Sequence, residues 1–437
     1  MSREMKNSGI SWIGDIPKDW KVCFIKQIMR NKSIKGYPDE MVLSLYRDYG
    51  VVPKNSRSDN HNVTSEDTSS YKFVEVGDFV INKMKAWQGS MAVSEFQGII
   101  SPAYYICRFT SNEVNKRYIH YLLRNDSYKT EYMRLSSGLR VGQWDLNIDD
   151  FLRIKMVLPS LEEQQKIASF LDRKCLEIDE MTTLQEKIVE ELKAYKQSVI
   201  TEAVTKGLNP DVPMKDSGIE WIGEIPEHWE VKPIKYIKSK EKNSFADGPF
   251  GSNLKSEHFV ENGDVLVIES GFITTGKFIY KDFKTITKEH FETIKRSECK
   301  AKDIIIAKIG ANYGMSGELP VLDKPSVVSG NSLKITLDNQ KYLNPIFVYA
   351  MMTAKSNKGF LDLVQENAQP ALSLSGLNNF RLPSAPIEEQ QAIADYLDEK
   401  CADIDSLIQT KQSKIDSLKE YKKSIIYEYV TGKKEVE

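Results

Sequence analysis

The sequence predicts an α+β protein in which two mixed domains, related by a pseudo-two-fold, are separated by two long antiparallel helices forming a coiled coil. Three observations point there. An opening motif, KNSGISWIGDIPKDWKV at 6–22, returns as KDSGIEWIGEIPEHWEV at 215–231, with 11 of 17 positions identical. A second motif, LPSLEEQQKIASFLDRKCLEID from Leu158, returns as LPSAPIEEQQAIADYLDEKCADID from Leu382 and opens a heptad-like pattern each time. Between the motifs lie short β-branched and aromatic runs broken by turn residues. The repeat is offset by 209 residues at the first motif and 226 at the second, so the second middle segment is 17 residues longer. Two such long units differ from the short periods of solenoids and propellers.

Taken in order, the chain divides into a domain at 1–157, a long helix at 158–210, a second domain at 211–381 and a second long helix at 382–437. The opening motif is dense in Trp, Ile and Pro (Trp12, Ile13, Ile16, Pro17, Trp20, and Trp221, Ile222, Ile225, Pro226, Trp229), which reads as a packing element. Strands are expected near 71–76, 78–82, 103–109, 265–269, 303–309 and 332–336. Helices are expected near 115–124 and 344–354, where apolar residues recur at three-to-four spacing.

The long helices carry the strongest pattern. Ile167, Leu171, Ile178, Met181, Ile188 and Leu192 step by three, four or seven, and Ile393, Leu397, Ile404, Leu407, Leu418 and Ile425 follow in the same frame. That is the seam of a supercoiled pair. A helix from Leu161 to Lys206 would be ~69 Å long at ~1.5 Å per residue. If a two-fold relates the halves, the helices run antiparallel and the chain forms a ring of domain, helix, domain, helix.

The 437 residues are 41 % apolar and 28 % charged, which excludes a disordered chain. No apolar run approaches the ~20 residues of a membrane helix. The start lacks the apolar core of a signal peptide, so a cytoplasmic protein without a membrane partner is expected. Five cysteines without a C-x-x-C pair argue against a disulfide framework or structural zinc, and the five histidines show no metal-ligand spacing. Gly271–Phe278 approaches a phosphate-binding loop, but Phe278 stands where the magnesium-holding Ser or Thr belongs. Neither an Asn/Asp-Pro-Pro-Tyr/Phe methyltransferase motif nor a Gly-rich cofactor loop is present. These residues describe a binding protein.

The net charge of −2 conceals a division. Counted by region, residues 1–157 carry +5, 158–210 carry −3, 211–381 are neutral and 382–437 carry −4. Acid gathers on the helices, leaving neutral-to-basic domains compatible with a nucleic-acid face. Candidate contact loops follow. In the first domain, Lys83, Lys85, Trp87 and Gln88 leave a strand together, and Arg140 and Gln143 sit on a Gly-flanked loop. In the second, Ser252, Asn253 and Lys255 occupy a Gly/Pro loop; Lys308, Asn312 and Tyr313 are placed like the Lys83 turn, and Gln369 like the Arg140 loop. Arg reads guanine and Gln reads adenine by paired hydrogen bonds, while Lys more often meets phosphate. Helices alone would also suit a coiled-coil adaptor with no DNA specificity of its own.

The duplicated SGIxWIGxIPxxW motif, the GDFVINKMKAWQGSMAVSEFQGIISPAYYIC stretch, the GPFGSNLK and AKIGANYG loops and the paired EEQQ helices resemble the specificity subunit of type I restriction–modification systems, over essentially the whole chain. The resemblance implies two target-recognition domains, each reading one half of a bipartite double-stranded DNA target, with the coiled coil fixing their separation. It implies a non-catalytic subunit that recruits two methyltransferase subunits and, on that core, restriction subunits. No cofactor is then expected on this chain; S-adenosylmethionine, ATP and magnesium would sit on those partners. The resemblance supplies neither the target nor the role of any single loop residue.

Overall fold

Both opening motifs fold the same way, and the computed structural model shows what each holds. It describes residues 3–56, 67–138, 144–249, 251–364 and 369–436. Contacts divide the chain into two units, one of Met1–Glu186 with Gln412–Glu437, the other of Lys187–Lys411. The division falls inside both long helices, so each unit owns one domain and a segment of each helix.

In the first unit, β1 (Lys21–Phe24), β2 (Met29–Lys32), β3 (Phe79–Asn82), β4 (Met91–Val93), β5 (Tyr104–Phe109) and β6 (Lys155–Leu158) frame the domain, with α1 (Lys116–Arg124) against them and α2 (Leu161–Lys206) leaving it. An antiparallel sheet of order β2-β5-β3-β4 forms the centre, Ile106 facing Val80 across β5 and β3. Val80, Ile81 and Ile106 are fully buried, as β-branched residues on a pleated core strand should be. The second unit repeats the plan. Its elements are β7 (Glu230–Pro233), β8 (Phe245–Asp247), β9 (Ile304–Ala307), β10 (Ser316–Glu318), β11 (Ser332–Ile335), α3 (Asn344–Ser356), β12 (Arg381–Ser384) and α4 (Ile387–Val430), with an antiparallel sheet of order β8-β11-β9-β10. A further four-stranded sheet built on Val265–Ile268 accompanies its longer middle segment.

The strand after each opening motif pairs with the strand before each long helix: β1 with β6, and β7 with β12. Each opening motif then clasps two helix ends. Trp20 is fully buried and its indole N–H donates to Glu163 Oε2 at 3.1 Å, at the start of α2. Its ring lies beside Gly432, just past the end of α4, where φ is +72° and a Cβ would drive into Pro17. Trp229 repeats both contacts, donating to Glu389 Oε2 at 2.9 Å and covering Gly207 (φ +76°) past the end of α2. The first Gln of each EEQQ motif is a second latch. Gln164 donates to Pro159 and Glu113 carbonyls and accepts from Asn115 N; Gln390 donates to Ala385 and Lys341 and accepts from Leu343 N. A third latch joins domain helix to long helix: Tyr121 to Asp172 at 2.6 Å, Tyr349 to Asp398 at 2.9 Å.

The buried stripe of α2 alternates steps of four and three, passing from Cys175 and Ile178 through Thr182 and Gln185 to Val189. On α4 the equivalents are Cys401, Ile404 and Ile415, which are buried, and Ile408 and Lys411, which are half-buried. This corrects the seam at Met181 and Leu407, which are 44 % and 50 % exposed. Ile188 is half-buried, and Val189 beside it is the buried one. Counting only apolar residues steps over Thr182, whose hydroxyl donates to the Ile178 carbonyl at 2.8 Å and so enters the stripe without an unmet donor. Ile167, Leu171, Ile178, Ile393, Leu397, Ile404 and Ile425 are buried; Leu192 and Leu418 are half-buried. In the first unit the helix segments run antiparallel, Lys422 pairing with Asp179 and Lys419 with Glu186, and in the second Lys196 pairs with Asp405. Substituting Ile178→Ala is expected to cost ~2–5 kcal/mol by emptying a core site, whereas Met181→Ala should stay within ~0.5 kcal/mol. Denaturant titration of the two variants checks this; equal losses would restore Met181 to the seam. Among the described residues no helix is long and apolar enough to cross a membrane.

Candidate nucleic-acid interface

In the first unit β3 delivers a tight turn. Asn82 caps it, its side chain accepting from Met84 N (3.1 Å) and Lys85 N (3.2 Å), and Gly89 closes it at φ +80°. Such capping consumes the donors a short 3₁₀ turn would otherwise leave unpaired. The turn therefore has a fixed shape, with Lys85 exposed and Lys83, Trp87 and Gln88 half-buried. The Trp87 indole N–H donates to Met84 O at 3.1 Å, and its ring sits 5.4 Å from that of Trp144. Trp144 stands at the foot of a hairpin in which Ser136 pairs with Leu146. The Trp pair thus joins the Lys83 turn to the base of the loop that carries Arg140 and Gln143; those two residues lie outside the described residues.

The register adds two residues that pattern reading missed. Tyr105 follows Tyr104, which is paired with Asn82, and its ring lies 4.8 Å from Lys83 Nζ and 5.6 Å from Lys72 Nζ. Lys72 also donates to the Tyr104 carbonyl at 2.6 Å. Burial lowers the Lys72 pKa, and Lys83 and Lys35 lower it further. Burial raises that of Tyr105, and Asp145 and Asp149 add to it. Lys72 carries no motif, sits 11 residues before Lys83 and lies on a strand outside the sheet of Tyr105, so only the folded domain reveals the cluster.

In the second unit the corresponding turn follows β9. Lys308 is only 13 % exposed, 3.6 Å from Asp247 Oδ2, a carboxylate that Arg296 also pairs with. Its charge is directed inward. Asn312 is exposed, and Tyr313 is half-buried with Lys355 Nζ 3.1 Å from its ring centre; burial lowers the Lys355 pKa. The Gln369 segment returns beside this turn: Ile309 bridges Ala371, and Leu372 N donates to Lys308 O at 2.9 Å. Gln369 is exposed there. Both units therefore set the turn after the third sheet element against a later returning segment.

Ser252, Asn253 and Lys255 are exposed on a turn supported from beneath by two imidazoles stacked 4.0 Å apart. His290 Nε2 meets Asn253 O at 2.9 Å, and His258 Nδ1 accepts from Lys255 N at 3.0 Å. Lys255 Nζ lies 3.8 Å from Glu257. Gly248 begins this loop because any Cβ would overlap the Ser329 carbonyl. Among the described residues no group of His, Cys, Asp and Glu is arranged to hold a metal.

The model for the type I restriction modification DNA specificity domain matches twice, at residues 17–194 and 226–420. The type I restriction enzyme MjaVIII specificity subunit of Methanocaldococcus jannaschii is 26 % identical over 437 residues, covering 96 % of this chain and 93 % of the relative. A chain from a solved structure on complex assembly and conformational transition of a type I R-M system superposes with a TM-score of 0.71 at 13 % identity, covering 95 % and 98 % of the two chains. The HsdS subunit from Thermoanaerobacter tengcongensis superposes with a TM-score of 0.51 at 13 % identity over the same shares.

Proposed function

The chain belongs to the family of type I restriction–modification specificity subunits, and from that premise we propose that its two domains each read one half of a bipartite double-stranded DNA target. The carrying observation is the repetition within each unit of one sheet, one capped or bridged turn and one returning segment, on a domain latched to a long helix. A repeated frame with unlike loops suits two unlike half-sites. In the first domain we assign Lys83 and Lys85 to phosphate and Gln88 to base edges, together with Arg140 and Gln143, which lie outside the described residues. In the second, Ser252, Asn253, Lys255, Asn312 and Gln369 form the exposed reading set, with Tyr313 beside them and Lys308 holding the turn through Asp247.

The helices set the unread gap between half-sites. The subunit is non-catalytic and acts in the cytoplasm; two methyltransferase subunits dock on it and restriction subunits assemble on that core. S-adenosylmethionine, ATP and magnesium belong to those partners. Methylation-sensitive sequencing of a host carrying this chain with its methyltransferase should reveal one motif of two unrelated short halves around unspecified base pairs. Replacing residues 22–157 with another member's domain should change one half only. Change in both halves would overturn the division of labour, and no modified motif would favour the adaptor reading.

A further inference from the structure

The Lys72–Tyr105–Lys83 cluster stands out because, among the described residues, its charges have no counter-ion. Two ammonium groups approach the ring of Tyr105, at 5.6 and 4.8 Å, and neither forms an ion pair with a carboxylate among the described residues. The acids that influence Tyr105, Asp145 and Asp149, form no ion pair with either lysine. Lys35 adds a third positive charge to the field at Lys72. On the sheet that carries Tyr105, Lys32 by contrast has a counter-ion, its Nζ lying 2.8 Å from Asp78 Oδ2. The equivalent turn of the second unit does too, since Lys308 faces Asp247. Like charges drawn together at a half-buried site raise the energy of the unliganded protein, and an anion placed between them relieves it.

We propose that Lys72 and Lys83, whose ammonium groups both lie close to the Tyr105 ring, form an anchor for a single backbone phosphate of the DNA bound by the first domain. This rests on the DNA-reading assignment and adds to it a site for one phosphodiester. The anchor sits on rigid supports: Lys72 on a strand paired with Ile100, with its ammonium fixed by the Tyr104 carbonyl, and Lys83 on the Asn82-capped turn that also carries Trp87. A phosphate held there fixes where the duplex lies against the turn and against the loop after Trp87, and carries no base information itself.

The test is the salt dependence of DNA binding by the full chain assembled with its methyltransferase subunits, for target and non-target duplexes. Each neutralised phosphate contributes about −0.9 to the slope of log affinity against log salt. Lys72→Met and Lys83→Met should each weaken target and non-target binding by the same factor. The double variant should lower the slope by about 0.9, because both lysines serve one phosphate, and Lys72→Arg should keep the wild-type slope. Inorganic phosphate should compete measurably less well against the double variant than against wild type. An unchanged slope in a folded double variant, or a loss confined to the target sequence, overturns the anchor while leaving the DNA reading intact. A slope change near 1.8 overturns the single shared phosphate. A wild-type complex with neither salt slope nor sequence preference overturns the DNA reading together with the anchor.

Discussion

Trp20→Ala is expected to remove ~3–5 kcal/mol from the first unit, the usual cost of emptying a fully buried Trp site. The loss has two parts. The ring vacates the space between the opening motif and Gly432, and Glu163 loses its indole donor while keeping Arg3. Trp20→Phe separates them, since it keeps most of the ring and removes only the N–H, so it should cost a fraction of the Ala variant. Native-state hydrogen exchange checks the assignment. Protection should fall across β1, β6 and the first turns of α2, while β9 and β11 keep theirs. Trp229→Ala should give the converse pattern. Equal loss in both units would mean that the clasp does not belong to one unit alone.

A four-residue insertion after Glu190, on the exposed face of α2, is expected to change the target while preserving both half-sites. It lengthens the helix by ~6 Å, near two base-pair steps of ~3.4 Å. Four residues do not complete a heptad, so the stripe is displaced locally, as in a stutter. The Asp179–Lys422 and Asp405–Lys196 pairs lie within separate units, and each can hold its own register while the mismatch is absorbed between them. Methylation-sensitive sequencing of the variant should show the same halves with a longer gap. Altered half-sites, or an unaltered gap, would sink the spacer role.

The duplicated motifs made the plan of the chain readable. Leu161–Lys206 is helical over the span expected, because 46 residues without Pro or Gly between Ser160 and Gly207 leave little alternative. The strands near 79–82, 104–109 and 332–335 lie where the β-branched runs placed them. What sequence pattern missed was non-local or polar. Thr182 in the stripe breaks an apolar count, and a threonine that bonds its own preceding turn looks the same on paper as one facing water. Lys308 and Lys83 look alike as sequence neighbours of a strand, yet among the described residues only Lys308 meets a carboxylate, 61 residues earlier at Asp247. Lys72 and Tyr105 are 33 residues apart, lie on strands of different sheets and meet only in the folded domain.

The two units also differ in how they can be completed during synthesis. The second is one uninterrupted stretch, Lys187–Lys411, so every contact within it exists once that stretch has left the ribosome. The first is not: its core closes over Ile425 and Val430, and its clasp needs Gly432. The domain made first is therefore finished last. Until then Ile167, Leu171 and Ile178 have no cover from the far end of the chain, and a stop codon at Gln412 would damage the amino-terminal domain while leaving every residue of the second unit in place.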